Sequence, residues 1–435
     1  LGRTPPKTTI AFPPNFSENK AADQQNQLFM VINWPINRKS LMKITAIKTF
    51  IVDGGFRPWT FVKVETNEPG LVGWGDCTDW GSPGPVVATV ERYAEWVIGR
   101  DPMQVEAIWW DLAAASARHT GGIAWKAMSG IDSALWDIRG KALGAPVWQL
   151  LGGQMRDRLR LYWSHCGTVR ARWADRLGLP KVESTDDIRR LAEEVLQQGY
   201  TAIKTNLFPL TDRPDANPLM SRLSHHTGDA SPAILRSAEA VVGTFREALG
   251  PDVGIALDVA FTYRLGGAIK LARAMEPYNL MWLETETLDP QALRLIREAT
   301  STTICTGESL FGQHEYKPFL ELHAQDVIMP DFAWNGITMG KKICDLAHAY
   351  DVLIAPHACH SPLNTLISAA VAATVPNFYI LEYDVDDAPW RNDILSHPLA
   401  IEQGYLQLSQ RPGLGADLLE DELRKHPPAH YPGAR

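Results

Sequence analysis

The stretch LMWLETETLDPQALRLIREATSTTICTGES, residues 280–309, decides the fold. Leu280–Glu284 is a short apolar run that reads as a buried strand, and Thr302–Thr306 reads as a second. A helical stretch separates them, and an acid follows closely at each strand end, Glu284 and Glu308. Strand, helix and strand in about 25 residues is the grammar of a parallel βα unit.

Outward from this unit the pattern repeats. Leu159–Trp163, Ala202–Thr205, Val253–Val259, Asp326–Met329, Val352–Pro356 and Phe378–Glu382 are further short apolar runs. Helices lie between them, such as Thr185–Gln198, which a Ser184-x-x-Asp187 cap starts. Eight strands in βα alternation predict a (β/α) barrel of the triosephosphate isomerase type. A doubly wound open sheet is the competing α/β fold, but no G-x-G-x-x-G follows the first strand. Upstream, Lys43–Val52, Thr60–Glu65 and Gly70–Gly75 predict a small antiparallel sheet. Helices over Pro85–Ile98, Gln104–Ser116 and Ala124–Leu143 follow, the last closed by Gly144 and Pro146. The expected division is an extension over 1–41, an α+β domain over 42–155, the barrel over 156–390 and a C-terminal segment over 391–435 that packs back on the first domain.

Of 435 residues, 45% are hydrophobic and 21% charged, the balance of a globular protein with a sizeable core. The net charge is −8 and no basic run stands out, which disfavours a nucleic-acid partner. No apolar run approaches the length of a membrane span. Cys77, Cys166, Cys305, Cys344 and Cys359 are scattered, without a C-x-x-C pair, and argue for a reducing compartment; a cytoplasmic location is expected. Leu1–Ser40 is rich in Pro, Asn, Gln and Lys and lacks a compact apolar signal core, so it reads as a dispensable tail, with Met42 a plausible natural start. Leu207–Ser231, a long polar segment containing His225-His226, is the one unusual connection.

In such a barrel the functional side chains stand at the C-terminal ends of the strands. Asp258, Glu284 and Glu308 close three successive strands at about one βα unit's spacing. Singly each is as simply a helix cap, but three hard oxygen donors in one register suit Mg²⁺. Asp331 and His357 end strands six and seven, and a carboxylate bonded to one imidazole nitrogen makes the other a general base. His360 competes for that role from the following loop. Lys204 ends strand two, where a lysine must reach water or meet an anion such as a substrate carboxylate. Arg57, Trp59 and Trp80 fall in predicted turns of the first domain and are candidates for the pocket wall.

Taken together, Val72-Gly73-Trp74-Gly75-Asp76, Ser129–Asp137, Leu257-Asp258, Trp282-Leu283-Glu284, Thr306-Gly307-Glu308-Ser309, Met329-Pro330-Asp331 and Pro356-His357 resemble the mandelate racemase branch of the enolase superfamily, over nearly everything from Met42 onward. The resemblance implies a modified barrel with an N-terminal α+β capping domain, metal ligands Asp258, Glu284 and Glu308, a His357–Asp331 dyad, and a substrate-touching acid at Glu382. It further implies a Mg²⁺-dependent lyase acting on a small sugar acid, similar to galactonate and gluconate dehydratases, and a homo-oligomer. Two departures bear on the reaction. Asn206 stands where racemases of this branch carry a second lysine base, and Ala260 stands where many relatives carry Asn or His. Loss of the opposite base favours elimination over racemisation. An epimerase or cycloisomerase is the alternative, with Tyr162 or His165 as second proton carrier; His165, Asn206, Glu382 and Trp59 are the expected substrate contacts. The turn Asn335-Gly336 is one residue shorter than the usual Gly-Gly pattern, which bears on the aim of Asp331. Specificity is expected from Asp53–Trp59, Cys77–Pro83 and Leu207–Ser231.

Overall fold

The alternating and glycine-marked stretches Lys43–Val52, Thr60–Glu65 and Gly70–Gly75 pair as expected. In the computed structural model, which describes residues 42–118, 120–216 and 228–429, β1 (Ile44–Asp53), β2 (Pro58–Thr66) and β3 (Val72–Asp76) form an antiparallel sheet in that order. The expected tail and His225-His226 lie outside the described residues. Helices α1 (Pro83–Val97), α2 (Val105–Ala115) and α3 (Gly122–Leu143) follow, and Gly144 closes α3 in the left-handed conformation at φ 65°. Glycine in β3 permits a backbone-to-backbone approach. A Cβ on Gly75 would stand 1.9 Å from the Gly130 carbonyl oxygen, and one on Gly73 would stand 2.0 Å from that of Ala134. The quoted motifs Val72–Asp76 and Ser129–Asp137 are thus two faces of one contact, pinned by Asp137, which accepts from the backbone N–H of Trp74 at 3.0 Å.

After the short helix α4 (Val147–Leu150) the barrel runs β4 (Arg158–Trp163), α5 (Thr168–Leu177), α6 (Thr185–Gln197), β5 (Ala202–Thr205), α7 (Pro232–Leu249) and β6 (Gly254–Asp258). It continues through α8 (Leu265–Met275), β7 (Trp282–Glu284), α9 (Pro290–Glu298), β8 (Ile304–Thr306), α10 (Gly312–Glu321) and β9 (Val327–Ile328). It ends with α11 (Phe332–His348), β10 (Leu353–Ile354), α12 (Pro362–Ala372) and β11 (Leu381–Tyr383). Strands β4 to β10 pair in parallel in sequence order, β11 pairs with β4, and a bridge from Ile354 to Phe378 links the remaining sides. All eight predicted barrel strands are present, most shorter than their apolar runs. The Ser184 cap of α6 is a reciprocal box with Asp187.

The tail of the chain serves both units. The hairpin β12 (Ile401–Glu402) and β13 (Tyr405–Gln407) joins β4 antiparallel, through Tyr405 against Arg160. Short helix α13 (Glu420–Leu423) begins at Glu420, which pairs with Lys63 of β2, while Leu414 donates its N–H to Asp137 of α3 at 2.8 Å. Among the described residues no helix is long and apolar enough to cross a membrane.

The barrel interior places the site. Tyr162, Ala202, Ala256, Trp282, Met329, Ala355 and Ile380 fill it as one buried cluster. Side chains alternate across a strand, so the residue two positions on faces the same way. Those residues are Ser164, Lys204, Asp258, Glu284, Asp331, His357 and Glu382. One apolar layer therefore floors a layer of polar groups.

Candidate active site

A cavity of about 240 Å³ opens above that layer. Lys204, Asp258, Glu308 and His357 line it from the barrel, with His165 and Trp334 beside them. The capping domain supplies Asp79, Trp80 and Lys126. Lys126 pairs with Asp79 and lies 3.7 Å from the Trp334 ring centroid.

Lys204 is buried between two acids, 2.7 Å from Glu382 Oε1 and 3.1 Å from Glu284 Oε1. Burial opposes its charge, but Glu284 and Glu382 outweigh burial and hold the ammonium well above its ordinary pKa. Glu382 also accepts from Ser164 Oγ at 2.5 Å and from the N–H of Ala358 at 2.8 Å. Asn206, the residue in the place of a second lysine, donates Nδ2–H to Asp258 Oδ2 at 2.8 Å. It orients a proposed ligand, and a neutral amide there serves as neither acid nor base.

Asp258 and Glu284 are direct neighbours in the β6–β7 register. Glu308 departs from the period-two rule, because Gly307 at φ 105° turns the chain, and its side chain reaches the cavity with 20% exposure. Burial pushes the Glu284 carboxyl well up, opposed by Lys204 and reinforced by Asp258 and Glu308. Behind them Glu286 accepts from Thr306 Oγ1 at 2.9 Å and from the N–H of Gly307 at 2.6 Å, and burial raises it to about 8. Among the described residues, the sets of three metal-binding atoms that converge within 4.8 Å are Asp331–His357–His360 and His357–Cys359–Glu382. The acid trio stands wider, as mutually repelling carboxylates do. Their chemistry fits a hard divalent cation: three oxygen donors, two of them buried, with Lys204 beside Glu284 and His357 beside Glu308 offsetting part of their charge.

His357 Nδ1 lies 2.6 Å from Asp331 Oδ2, so its proton points there and Nε2 is left toward the cavity. That Nε2 is 3.4 Å from Glu308 Oε2 and 3.1 Å from Cys359 Sγ. Burial lowers the imidazole pKa, but Cys359, Glu308, Glu382 and Asp331 together lift it well above its ordinary value. His360, the competitor, sits on the same carboxylate with Nε2 2.7 Å from Asp331 Oδ2. The Trp80 indole N–H donates to its Nδ1 at 3.3 Å, so His360 keeps its proton on Nε2 and gives it to Asp331. His360 does not line the cavity; His357 does. Burial works against the charge on Asp331, yet the two imidazoles hold its carboxyl at about 2. The short turn after Asp331 is accommodated by Gly336, whose φ of 69° breaks α11, while Asp331 Oδ1 caps the helix at the Trp334 N–H, 3.1 Å away.

His165 lines the cavity, with Nδ1 2.8 Å from Asp384 Oδ1, while Asp384 Oδ2 pairs with Arg57. This second imidazole–carboxylate pair has a signal in the sequence, since Asp384 is two residues past Glu382 and so on the same face. Tyr162 lies below, buried in the interior layer without a hydroxyl partner. Trp59 is a correction. It lies fully buried within β2 paired to Val52, packed over Gly54, and does not reach the cavity. Trp80 and Trp334 supply the aromatic wall instead. Asp79 falls, with Trp80, in the expected specificity segment Cys77–Pro83; Lys126 and Trp334 carry no motif, and only tertiary packing brings them here.

Residues 43–152 match the N-terminal domain family of mandelate racemase and muconate lactonizing enzyme, and residues 187–422 match the enolase C-terminal domain-like family. The chain is 33% identical to D-xylonate dehydratase of Haloferax volcanii over 392 residues, covering 88% of this chain and 89% of that one. It is 32% identical to D-galactonate dehydratase of Variovorax paradoxus, covering 88% and 94%. Among solved structures it superposes with a TM-score of 0.84, at 35% identity, on a Burkholderia xenovorans protein provisionally named L-alanine-DL-glutamate epimerase and bound to magnesium and fumarate, covering 91% and 98%. A mandelate racemase/muconate lactonizing enzyme-like protein of Rubrobacter xylanophilus gives 0.80 at 32% identity, covering 90% and 98%. With its capping sheet, its barrel and these matches, the chain belongs to the mandelate racemase and muconate lactonizing enzyme family of the enolase superfamily.

Proposed function

We propose that the protein is a Mg²⁺-dependent hydro-lyase that converts a sugar acid, an aldonate or aldarate, to a 2-keto-3-deoxy acid. The observation that carries this reading is His357, pinned at Nδ1 by Asp331 and presenting Nε2 to the cavity 3.4 Å from Glu308. Relatives named D-xylonate and D-galactonate dehydratase support the substrate class.

Asp258, Glu284 and Glu308 would hold the metal, which when bound neutralises the substrate carboxylate and so acidifies its α-proton. Lys204 stays protonated between Glu284 and Glu382 and stabilises the negative charge that develops on that carboxylate. Once Glu308 holds the cation its charge no longer lifts His357, whose free Nε2 takes the α-proton, and the imidazolium forms against the Asp331 carboxylate. The same Nε2 then protonates the departing β-hydroxyl, which leaves as water, and the enol tautomerises to the ketone. One residue serving both steps works from one side, so the elimination is syn. Incubation with a panel of mono- and diacid sugars and Mg²⁺, read by formation of 2-keto-3-deoxy acid, tests the reading. No turnover across the panel, or turnover that survives exhaustive chelation, refutes it.

The second imidazole pair, His165 with Asp384, supports the alternative of an epimerase. In a His357→Asn variant the dehydratase reading requires loss of α-proton exchange with deuterated solvent. Persistent exchange would assign His165 as a second base.

A further inference from the structure

We infer that His357, Cys359 and Glu382 form a second, inhibitory metal site for a thiophilic cation, Zn²⁺, beside the acid trio. His357 Nε2, Cys359 Sγ and one Glu382 oxygen all lie within 4.8 Å of one another and are buried. Sγ is 3.1 Å and Glu382 Oε2 is 4.0 Å from Nε2. Tetrahedral Zn²⁺ with ordinary bond lengths sets those separations at about 3.6 Å and about 3.4 Å. Shifts of about half an ångström bring those two separations to tetrahedral values, and the Sγ to Glu382 oxygen separation, within 4.8 Å, closes to about 3.6 Å in the same geometry.

The donors are a thiol, an imidazole and a carboxylate, a set that selects Zn²⁺ over Mg²⁺. The imidazole already has the orienting partner such a ligand needs, since Nδ1–H is held by Asp331 at 2.6 Å. Glu382 Oε2 accepts one hydrogen bond, from Ala358, and keeps a lone pair. Binding releases the thiol proton to solvent, and the ion takes the thiolate charge and a share of Glu382, whose Oε1 stays paired with Lys204 at 2.7 Å. Burial pushes the Cys359 thiol up and Glu382 adds to the rise, while His357 and the buried Arg57 oppose it, so the metal itself must supply the pull that deprotonates the sulfur. The neighbouring set Asp331–His357–His360 does not serve, because both imidazoles already direct N–H groups at Asp331 Oδ2.

The consequence rests on the proposed role of His357: an ion on Nε2 occupies the lone pair that takes the α-proton, so Zn²⁺ inhibits without displacing Mg²⁺. The binding itself does not depend on that role. Co²⁺, a spectroscopic stand-in, is titrated into the full chain under saturating Mg²⁺. One equivalent should produce a thiolate-to-cobalt charge-transfer band, displaced by Zn²⁺, absent in Cys359→Ser and retained in Cys305→Ser. Absence of the band, or its survival in Cys359→Ser, overturns the site. X-ray absorption of the Zn²⁺-loaded native chain must show one sulfur ligand, and a shell of nitrogen and oxygen alone overturns it even if the variant fails to fold. Where a sugar acid is turned over, the Zn²⁺ inhibition constant should rise at least tenfold in Cys359→Ser; an unchanged constant removes the inhibitory role. If no sugar acid is turned over, the function reading fails while the absorption results still decide the site.

Discussion

Replacing Asp331 by Asn tests the base dyad most directly. Asp331 Oδ2 accepts from His357 Nδ1 at 2.6 Å and His360 Nε2 at 2.7 Å, while Oδ1 caps α11. An amide offers one accepting oxygen. Turned toward the imidazoles, it leaves Nδ2 against the Trp334 N–H and removes the cap, at about 1 kcal/mol of stability. Turned toward the cap, it sets Nδ2 against two N–H donors, and His357 must move its proton to Nε2, where a base cannot use it. Either way the imidazolium forming in the reaction loses its charged partner. A charge-assisted hydrogen bond contributes about 1.5–3 kcal/mol, or roughly 10- to 150-fold in rate. The wrong tautomer raises the loss toward ~10⁴, as an Asp-to-Asn change does in a serine-protease triad. The expected kcat falls 10²- to 10⁴-fold by that estimate. KM should change little, because Asp331 does not line the cavity. Initial rates at saturating Mg²⁺ and substrate, with circular dichroism as a folding control, measure this. A folded variant within fivefold or so of native kcat would refute the reasoning, since general-base loss costs ~10² or more. His360→Asn removes one bond to the same oxygen and spares the His357 tautomer; a loss as large as that of Asp331→Asn would move the base role to His360.

Glu284→Gln removes a buried charge from the acid trio, so calorimetric Mg²⁺ affinity should drop at least tenfold, roughly 1.4 kcal/mol, with activity lost in parallel; native affinity would exclude Glu284 as a ligand. Gly75→Ala drives a Cβ to 1.9 Å from the Gly130 carbonyl oxygen, and overpacking on the order of 1–3 kcal/mol should lower the urea midpoint, whereas an unchanged midpoint would mean that β3 and α3 separate freely. Burial raises Asp132 to about 7, against hydrogen bonds from Thr338, so the folded chain holds this proton at pH values where the unfolded chain has released it. Stability from this group is then full below the unfolded value near 3.8 and is lost as pH rises toward about 7. Denaturation curves of Asp132→Asn should therefore show a weaker decline over that window, and parallel curves would exclude the assignment.

The barrel is legible in its short apolar runs alternating with helices, and most of the site in the alternation along those runs, from which Glu308 departs at Gly307. Ala202 announces Lys204, Ala256 announces Asp258, Trp282 announces Glu284 and Ala355 announces His357, each an apolar residue two positions before a polar one. The same rule marks Asp384 beyond Glu382, a step the strand-end reading stopped short of. Trp59 was misplaced because a predicted turn is in fact the start of β2, and the Gly54 N–H to Arg57 carbonyl bond at 2.9 Å closes the loop earlier. Lys126 and Trp334 could not be read at all. They meet through a cation–π contact across two domains, and no local pattern encodes a partner some 200 positions away.

That contact belongs to a longer mechanical chain from the first sheet to the base. Gly73 and Gly75 let β3 sit on the backbone of α3, which fixes the axis of that helix. On its other side α3 holds the start of α11. Ser129 Oγ donates to the Phe332 carbonyl at 2.9 Å, Asp132 Oδ2 accepts from the Thr338 N–H at 2.9 Å, and Trp136 Nε1 donates to Thr338 Oγ1 at 2.9 Å. Gly336 is required at that junction, since a Cβ there would stand 2.6 Å from Asp132 Oδ2. The residue that caps α11 is Asp331, so a helix clamped by the capping domain aims the carboxylate that aims His357. Domain docking and base orientation are therefore one set of contacts, and a change that loosens α3 on α11 should reach the proton-transfer step through Asp331 as well as the cavity wall at Lys126 and Trp334.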